Sequence, residues 1–283
     1  MRLERMTWPE VKAEIEAGTP LTLPVGAIEQ HGPHLPLGTD GFIPEHIAAA
    51  VADRRRLVVA PPLFYGAYSR PRSGGGRHFP GSVGLPGRVL EQVIHHLVGD
   101  WLRQGFRKVV VLNGHFENAW TLLEGIEQAI GGHHGGNRET NRGTPKVLLV
   151  NWWDQITDAD IQRVFGGTFP GWATEHASIT ETSMLEAFAP GLVRTERKAD
   201  GGARRMVSYD IFPAPADILW PNGIGHTAVG ANAETGKELT TLLAERLTTI
   251  LDTEFPEDAR LFLLRHPRFP QVLEEVPGRR EIL

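Results

Sequence analysis

The chain has 283 residues, 41% of them hydrophobic, with 29 Lys and Arg against 34 Asp and Glu for a net charge of −5. Charges of both signs are interspersed rather than gathered into basic blocks, which excludes a nucleic-acid footprint, and no run of roughly 18 apolar residues exists to cross a membrane. Cysteine is absent, so disulfides, thiolate nucleophiles and Cys-ligated zinc are excluded, and any metal must be held by carboxylate oxygen and by nitrogen from the 12 histidines.

The opening "MRLERMTWPEVKAEIEAG" carries charges where a secretory segment needs an apolar run, so a cytoplasmic protein is expected. Helical periodicity over residues 7–17 is followed by a short apolar strand, "LTLPV". A helix over 42–55, a strand in "RLVVAPPL", a helix over 85–104 and a strand in "RKVVVLNG" come next. A helix over 117–130 then leads to a Gly/His/Asn-rich connection, 131–145, whose His133 and His134 read as solvent-exposed, and to the strand "KVLLVNWW". Helical patterns return over 181–189 and 232–252. Between them, 200–230 is rich in Gly and Pro and reads as irregular, covering a site or touching another subunit; the tail 254–283 reads as docking on the body or a neighbour.

Short β-branched runs alternating with amphipathic helices predict a mostly parallel sheet between helical layers, a single three-layer α/β/α domain spanning 1–283. In such sheets the loops leaving the carboxyl ends of strands converge. The loop "GAIEQHGPHLPLGTDG" after the first strand and the loop "NGHFENAW" after the third therefore face one crevice.

Each loop pairs an imidazole with a carboxylate two residues away, Glu29 with His31 and His115 with Glu117, and in extended backbone such residues project to the same side. With Asp40 they make two imidazoles and three carboxylates. One carboxylate can bridge two divalent cations, and +4 against −3 leaves +1 to hold hydroxide, whose formation near neutral pH follows from the lowered pKa of metal-bound water. Either pair alone also reads as ordinary loop hydrogen bonding. Both pairs after strands, beside tight Gly turns and Asp40, favour metal-assisted hydrolysis.

In "GWATEHASITETS", Glu175, His176 and Glu181 lie near a helix start, where an acidic first turn suits the helix dipole. His176 reads either as structural or as a proton shuttle to a leaving nitrogen. "SGGGRHFPG" lacks the Lys-Ser/Thr ending of a phosphate loop; its glycines permit close approach to a ligand that Ser73 or His78 could touch, or simply make a turn. Trp152, Trp153 and Trp172 read either as core or as platforms for a flat ligand.

On these motifs, from about residue 21 to 238, the sequence resembles the creatininase (creatinine amidohydrolase) family, and "SGGGRHFPG" with the Trp before the TEH motif matches its narrower pattern. The resemblance implies a binuclear amidohydrolase, normally a homohexamer, with two divalent ions per subunit, zinc and manganese being the usual occupants. It implies one ion on Glu29 and His115, the other on His31 and Glu117, and Asp40 bridging. It makes His176 the proton-transfer residue with Glu175 beside it, and Ser73, Gly114, Phe116, Trp153 and Trp172 the substrate contacts, Trp172 on a covering loop. The implied reaction is reversible opening of creatinine, a small-molecule substrate, to creatine. Pro33, Arg77 and Phe116 depart from the family pattern, Phe116 by lacking a tyrosine hydroxyl. The alternatives are another cyclic amide, a formamide or a peptide as substrate, or a metal-stabilised binding protein without turnover.

Overall fold

The computed structural model describes residues 1–134 and 144–256, the side chains of 132–134 excepted; the side chains of His133 and His134, whose exposure was expected, and most of the expected tail lie outside what is described. Four strands, β1 (Leu21–Val25), β2 (Val58–Val59), β3 (Lys108–Asn113) and β4 (Lys146–Asn151), form one parallel sheet in the order β2-β1-β3-β4. β1 is buried along its whole length, and β3 from Val109 onward. That is why both read as unbroken apolar runs rather than alternating ones.

The period of two still sorts β3 between two layers. Val109 and Val111 join the cluster formed with α1 (Trp8–Glu16), α3 (Gly87–Gln104) and α4 (Ala119–His134). Val110 and Leu112 join the opposite cluster with α2 (Thr39–Ala52), α5 (Asp158–Phe165), α6 (Ile179–Phe188) and α7 (Ala233–Glu254). The result is the expected α/β/α layering.

Three local expectations change. "RLVVAPPL" contributes only Val58–Val59 to the sheet, because Pro61 and Pro62 have no N–H to continue a ladder; the chain rejoins β1 at Leu63, whose N–H reaches the Pro24 carbonyl at 2.9 Å. α2 begins at Thr39, earlier than the periodicity indicated, and α4 runs through His134, into the stretch read as a surface connection. α5 was not anticipated. Its start is a capping box in which Asp160 accepts from the Thr157 N–H at 2.9 Å while the Asp160 N–H returns to the Thr157 hydroxyl at 3.3 Å.

The strand order reverses direction between β1 and β3: the chain leaves β1 toward β2 on one side and returns to β3 on the other. Loops from neighbouring carboxyl ends therefore diverge and leave a crevice.

Asp160 also pairs with Arg246 at 2.6 Å, tying α5 to α7. Burial works against its charge, but the bonds from Thr157 and the Arg246 guanidinium outweigh burial and hold the carboxyl at about 2. A depressed folded-state pKa contributes stability that is present above the unfolded value of about 3.9 and is lost as pH falls through about 2. Denaturant midpoints measured from pH 5 to pH 2 should therefore fall less steeply for Asp160→Asn than for the parent chain; parallel slopes contradict this role.

Candidate metal centre

The crevice is closed at its floor by backbone packing. A Cβ on Gly26 would stand 2.3 Å from the Gly41 nitrogen, and one on Gly114 would stand 2.0 Å from the Asp40 carbonyl oxygen. Only glycine at both positions lets the start of α2 press against the loops after β1 and β3. Asp40, expected in a loop, thus sits in the first turn of α2, where unpaired N–H groups favour a carboxylate, and is delivered between the two loops.

The two oxygens of Asp40 address different histidines. Oδ1 is 3.0 Å from His31 Nε2 and Oδ2 is 3.0 Å from His115 Nδ1. His115 Nδ1 is also 3.0 Å from Glu29 Oε2, and its Nε2 is 3.3 Å from Glu117 Oε2. His31 Nε2 is 3.7 Å from Glu181 Oε2. Its other nitrogen, Nδ1, lies 3.1 Å from the Glu29 carbonyl, to which it donates, so that Nε2 is the nitrogen turned to Asp40. The E-x-H pair of the first loop is therefore held by its own backbone. In the second loop Glu117 lies on a 3-10 turn (Phe116–Asn118) rather than extended chain, yet Phe116 still turns outward, 68% exposed, while its neighbours turn in.

These groups fit divalent cations. His31 Nε2, His115 Nε2 and Asp40 Oδ2 are buried and make no hydrogen bond among the described residues, although a nitrogen or oxygen lies within 3.3 Å of each. Two ligands bonded at about 2.1 Å to one tetrahedral ion stand about 3.4 Å apart, and the nitrogen–oxygen separations here run from 3.0 to 3.7 Å. Donor atoms gather in two groups, Glu29 with His115 and Glu117, and His31 with His176 and Glu181.

Burial penalises every charge here. For His31 the charges of Asp40 and then Glu181 overcome burial and raise its pKa well above the usual imidazole value; Glu29 and then Glu117 do the same for His115. Against the same penalty the histidines depress Glu29 and Asp40. Glu117 moves the other way, raised by burial, which outweighs its His115 partner. Without cations the cluster is stabilised by protonated imidazoles, so ions must displace protons to bind.

Above the floor opens a cavity of about 510 Å³ lined by Glu29, Asp40, His115, Glu117, Glu175 and His176 and by Ser73, Gly114, Phe116, Trp153 and Trp172. His31 lies behind Asp40, wholly buried, its ring 4.5 Å from that of His176. His78 does not reach the cavity. One wall is a run of ring contacts: Phe116 to Trp153 at 6.0 Å, Trp153 to Trp152 at 5.8 Å, Trp152 to Trp172 at 6.0 Å. Trp152 is buried and links the other two tryptophans.

Gln30 is the joint that positions His176. Its Nε2 lies 2.9 Å from His176 Nε2 and donates to the carbonyls of Gly74 at 2.9 Å and Gly223 at 3.0 Å, while its own carbonyl is 3.0 Å from His176 Nε2. The irregular stretch therefore does cover the site: Gly225 donates to the His176 carbonyl at 2.7 Å and Asp210 lines the cavity. Ala177, immediately after His176, takes φ 50°, and its N–H is anchored on Glu181 at 2.7 Å. Glu175 Oε1 accepts the Thr180 N–H at 2.8 Å, whereas Oε2 is buried without a partner among the described residues. Burial and then the charge of Glu181 push its carboxyl up to about 8.

Ser69 and Gln30 were given no role by sequence reasoning, whereas Trp152 takes the core alternative and Glu181 sits in the first turn of α6 as read. Ser69 donates to Glu29 Oε1 at 2.5 Å and receives the Gly76 N–H at 2.6 Å. Nothing in a lone serine or glutamine signals such a bond; Glu181 stood in view beside the TEH motif.

The creatinine amidohydrolase profile matches residues 4–251. Creatinine amidohydrolase of Pseudomonas putida is 35% identical over 255 residues, 89% of this chain and 96% of that one. A mycofactocin precursor peptide peptidase of Mycobacterium ulcerans is 31% identical over 206 residues, 70% of this chain and 65% of that protein. Solved creatininases in a manganese form and in a zinc–zinc variant each superpose with TM-score 0.85 at 33% identity, covering 90% of this chain and 98% of theirs. The chain belongs to the creatininase family of hydrolases.

Asp40→Asn should reduce bound metal at both positions, because one carboxylate faces both imidazoles, whereas His176→Ala should retain metal. Elemental analysis of the two purified variants checks this; the reverse pattern contradicts it.

Proposed function

We propose that the chain is a binuclear amidohydrolase that opens a small cyclic amide, with creatinine to creatine as the reference reaction. The observation that supports it is Asp40, with one oxygen 3.0 Å from His31 and the other 3.0 Å from His115, at the floor of an aromatic-walled cavity. In this reading Glu29 and His115 would hold one ion and His31 and Glu117 the other, with Asp40 shared between them; Glu117, whose donor atom gathers with those of Glu29 and His115, would serve the second ion from that side. Zinc or manganese would suit a donor set of imidazole and carboxylate, and would supply water of near-neutral pKa and Lewis acidity. Cytoplasmic location and assembly as a homohexamer belong to the same proposal.

The protein's own groups do the remaining work. Trp153 and Trp172 offer flat faces to a planar ring, and a ring seated against them and Phe116 would displace water from the cavity wall. Ser73 and Gly114 bring polar edge and close backbone to the same ring. His176, oriented through Nε2 by Gln30, delivers a proton to the departing ring nitrogen as the carbonyl carbon gains oxygen from water, so that H and OH add across the broken C–N bond. Glu175 holds a proton on its carboxyl at neutral pH beside that imidazole. The aromatic wall favours a flat, compact substrate over a peptide.

Protein loaded with zinc plus manganese should convert creatinine to creatine, followed by chromatography, and should stop when chelator is added; conversion that survives chelation contradicts the metal reading, and no conversion by loaded protein contradicts creatinine as substrate.

Because a carboxyl with a raised pKa stays protonated below that value, kcat should decline as pH rises through about 8. That alkaline limb should be absent from the pH profile of Glu175→Gln; a limb unchanged in the variant contradicts the role given to Glu175.

A further inference from the structure

Arg70 and Arg72 line the cavity and are both exposed, opposite in charge to the acidic floor. Arg70 makes no ion pair among the described residues. Arg72 has only Asp210, 3.6 Å away with both side chains about half exposed, a weak pairing. The turn bearing them is fixed relative to the floor. Glu117 Oε1 accepts the Arg70 N–H at 3.0 Å and the Ser73 hydroxyl, Pro71 stiffens the 3-10 turn Pro71–Ser73, and Arg204 donates to the Arg72 carbonyl at 3.0 Å. The backbone of this turn is thereby tied directly to Glu117, a residue that would hold an ion.

We propose that Arg70, assisted by Arg72, is the specificity-determining group for a carboxylate on the substrate, so that the preferred ligand is a small cyclic amide bearing an acid group remote from the scissile carbonyl. This rests on the cyclic-amide reading of the site. A neutral ring such as creatinine presents no anion to Arg70, and the carboxylate its opening creates forms at the floor, on the reacting carbon. A second acid across the ring would meet a guanidinium that supplies paired N–H donors in the geometry of a carboxylate. The floor does not need these arginines for charge balance once two cations offset Glu29, Asp40 and Glu117.

The test uses the metal-loaded full chain and two ligands of equal size, hydantoin-5-acetate and hydantoin-5-acetamide, titrated by quenching of the cavity tryptophans. The acid should bind about tenfold or more tightly than the amide at low salt, an advantage that shrinks at high salt. Arg70→Gln should remove most of that advantage, weakening the acid several-fold more than the amide. Equal affinities, or an acid advantage that persists in Arg70→Gln because the carboxylate sits on the metals, overturns the proposal. If neither hydantoin binds, the acid preference falls: turnover of creatinine by the same protein then leaves the cyclic-amide reading standing, and inert creatinine removes creatinine as the reference substrate as well.

Discussion

The structure turns on the placement of one buried carboxylate between two buried imidazoles. Asp40 reaches His31 with one oxygen and His115 with the other, and Glu29 and Glu117 crowd the same volume. Such a collection of ionisable groups removed from water is unfavourable unless opposite charge accompanies it. In the protein alone that charge comes from imidazoles whose pKa values rise well above normal. Divalent cations supply it more fully. The rest of the crevice follows from this demand: two glycines admit the start of α2, the strand reversal opens space above it, and backbone carbonyls and serines fix the ligand atoms in place.

Away from that floor the cavity changes character. Beside the acidic cluster stands a wall of connected aromatic rings, and Arg70 and Arg72 line the same cavity. Under the proposed function this arrangement would orient a small molecule with its scissile carbonyl toward the carboxylates, its flat body against the tryptophans and any anion toward the arginines. His176, its ring 4.5 Å from that of His31, lines the cavity together with Glu175. Their position depends on chain far away in sequence, since Gln30 bridges the loops at Gly74 and Gly223 to hold His176.

The sheet was legible because β1, β3 and β4 are apolar runs bounded by turn residues, and the meeting of the two E/H pairs was legible because parallel strands send their loops to one end. The side-chain reason given for the second pair was incomplete: Glu117 stands on a 3-10 turn, and it is the outward rotation of Phe116 that leaves His115 and Glu117 facing inward. Two prolines shortened β2 where β propensity alone favoured a longer strand. α5 escaped notice because eight residues give too little periodicity, although Thr157 and Asp160 spell its capping box. Gln30, Ser69 and the cavity arginines depend on contacts between segments 40 or more residues apart, which local pattern does not encode.

The most direct test of this account is a crystal of the zinc- and manganese-loaded protein, with anomalous scattering recorded at both metal edges. The account predicts two peaks in the crevice, about 3.5 Å apart with the Asp40 carboxylate between them and His31 and His115 on opposite ions. A single peak, or two peaks that Asp40 does not span, would contradict it.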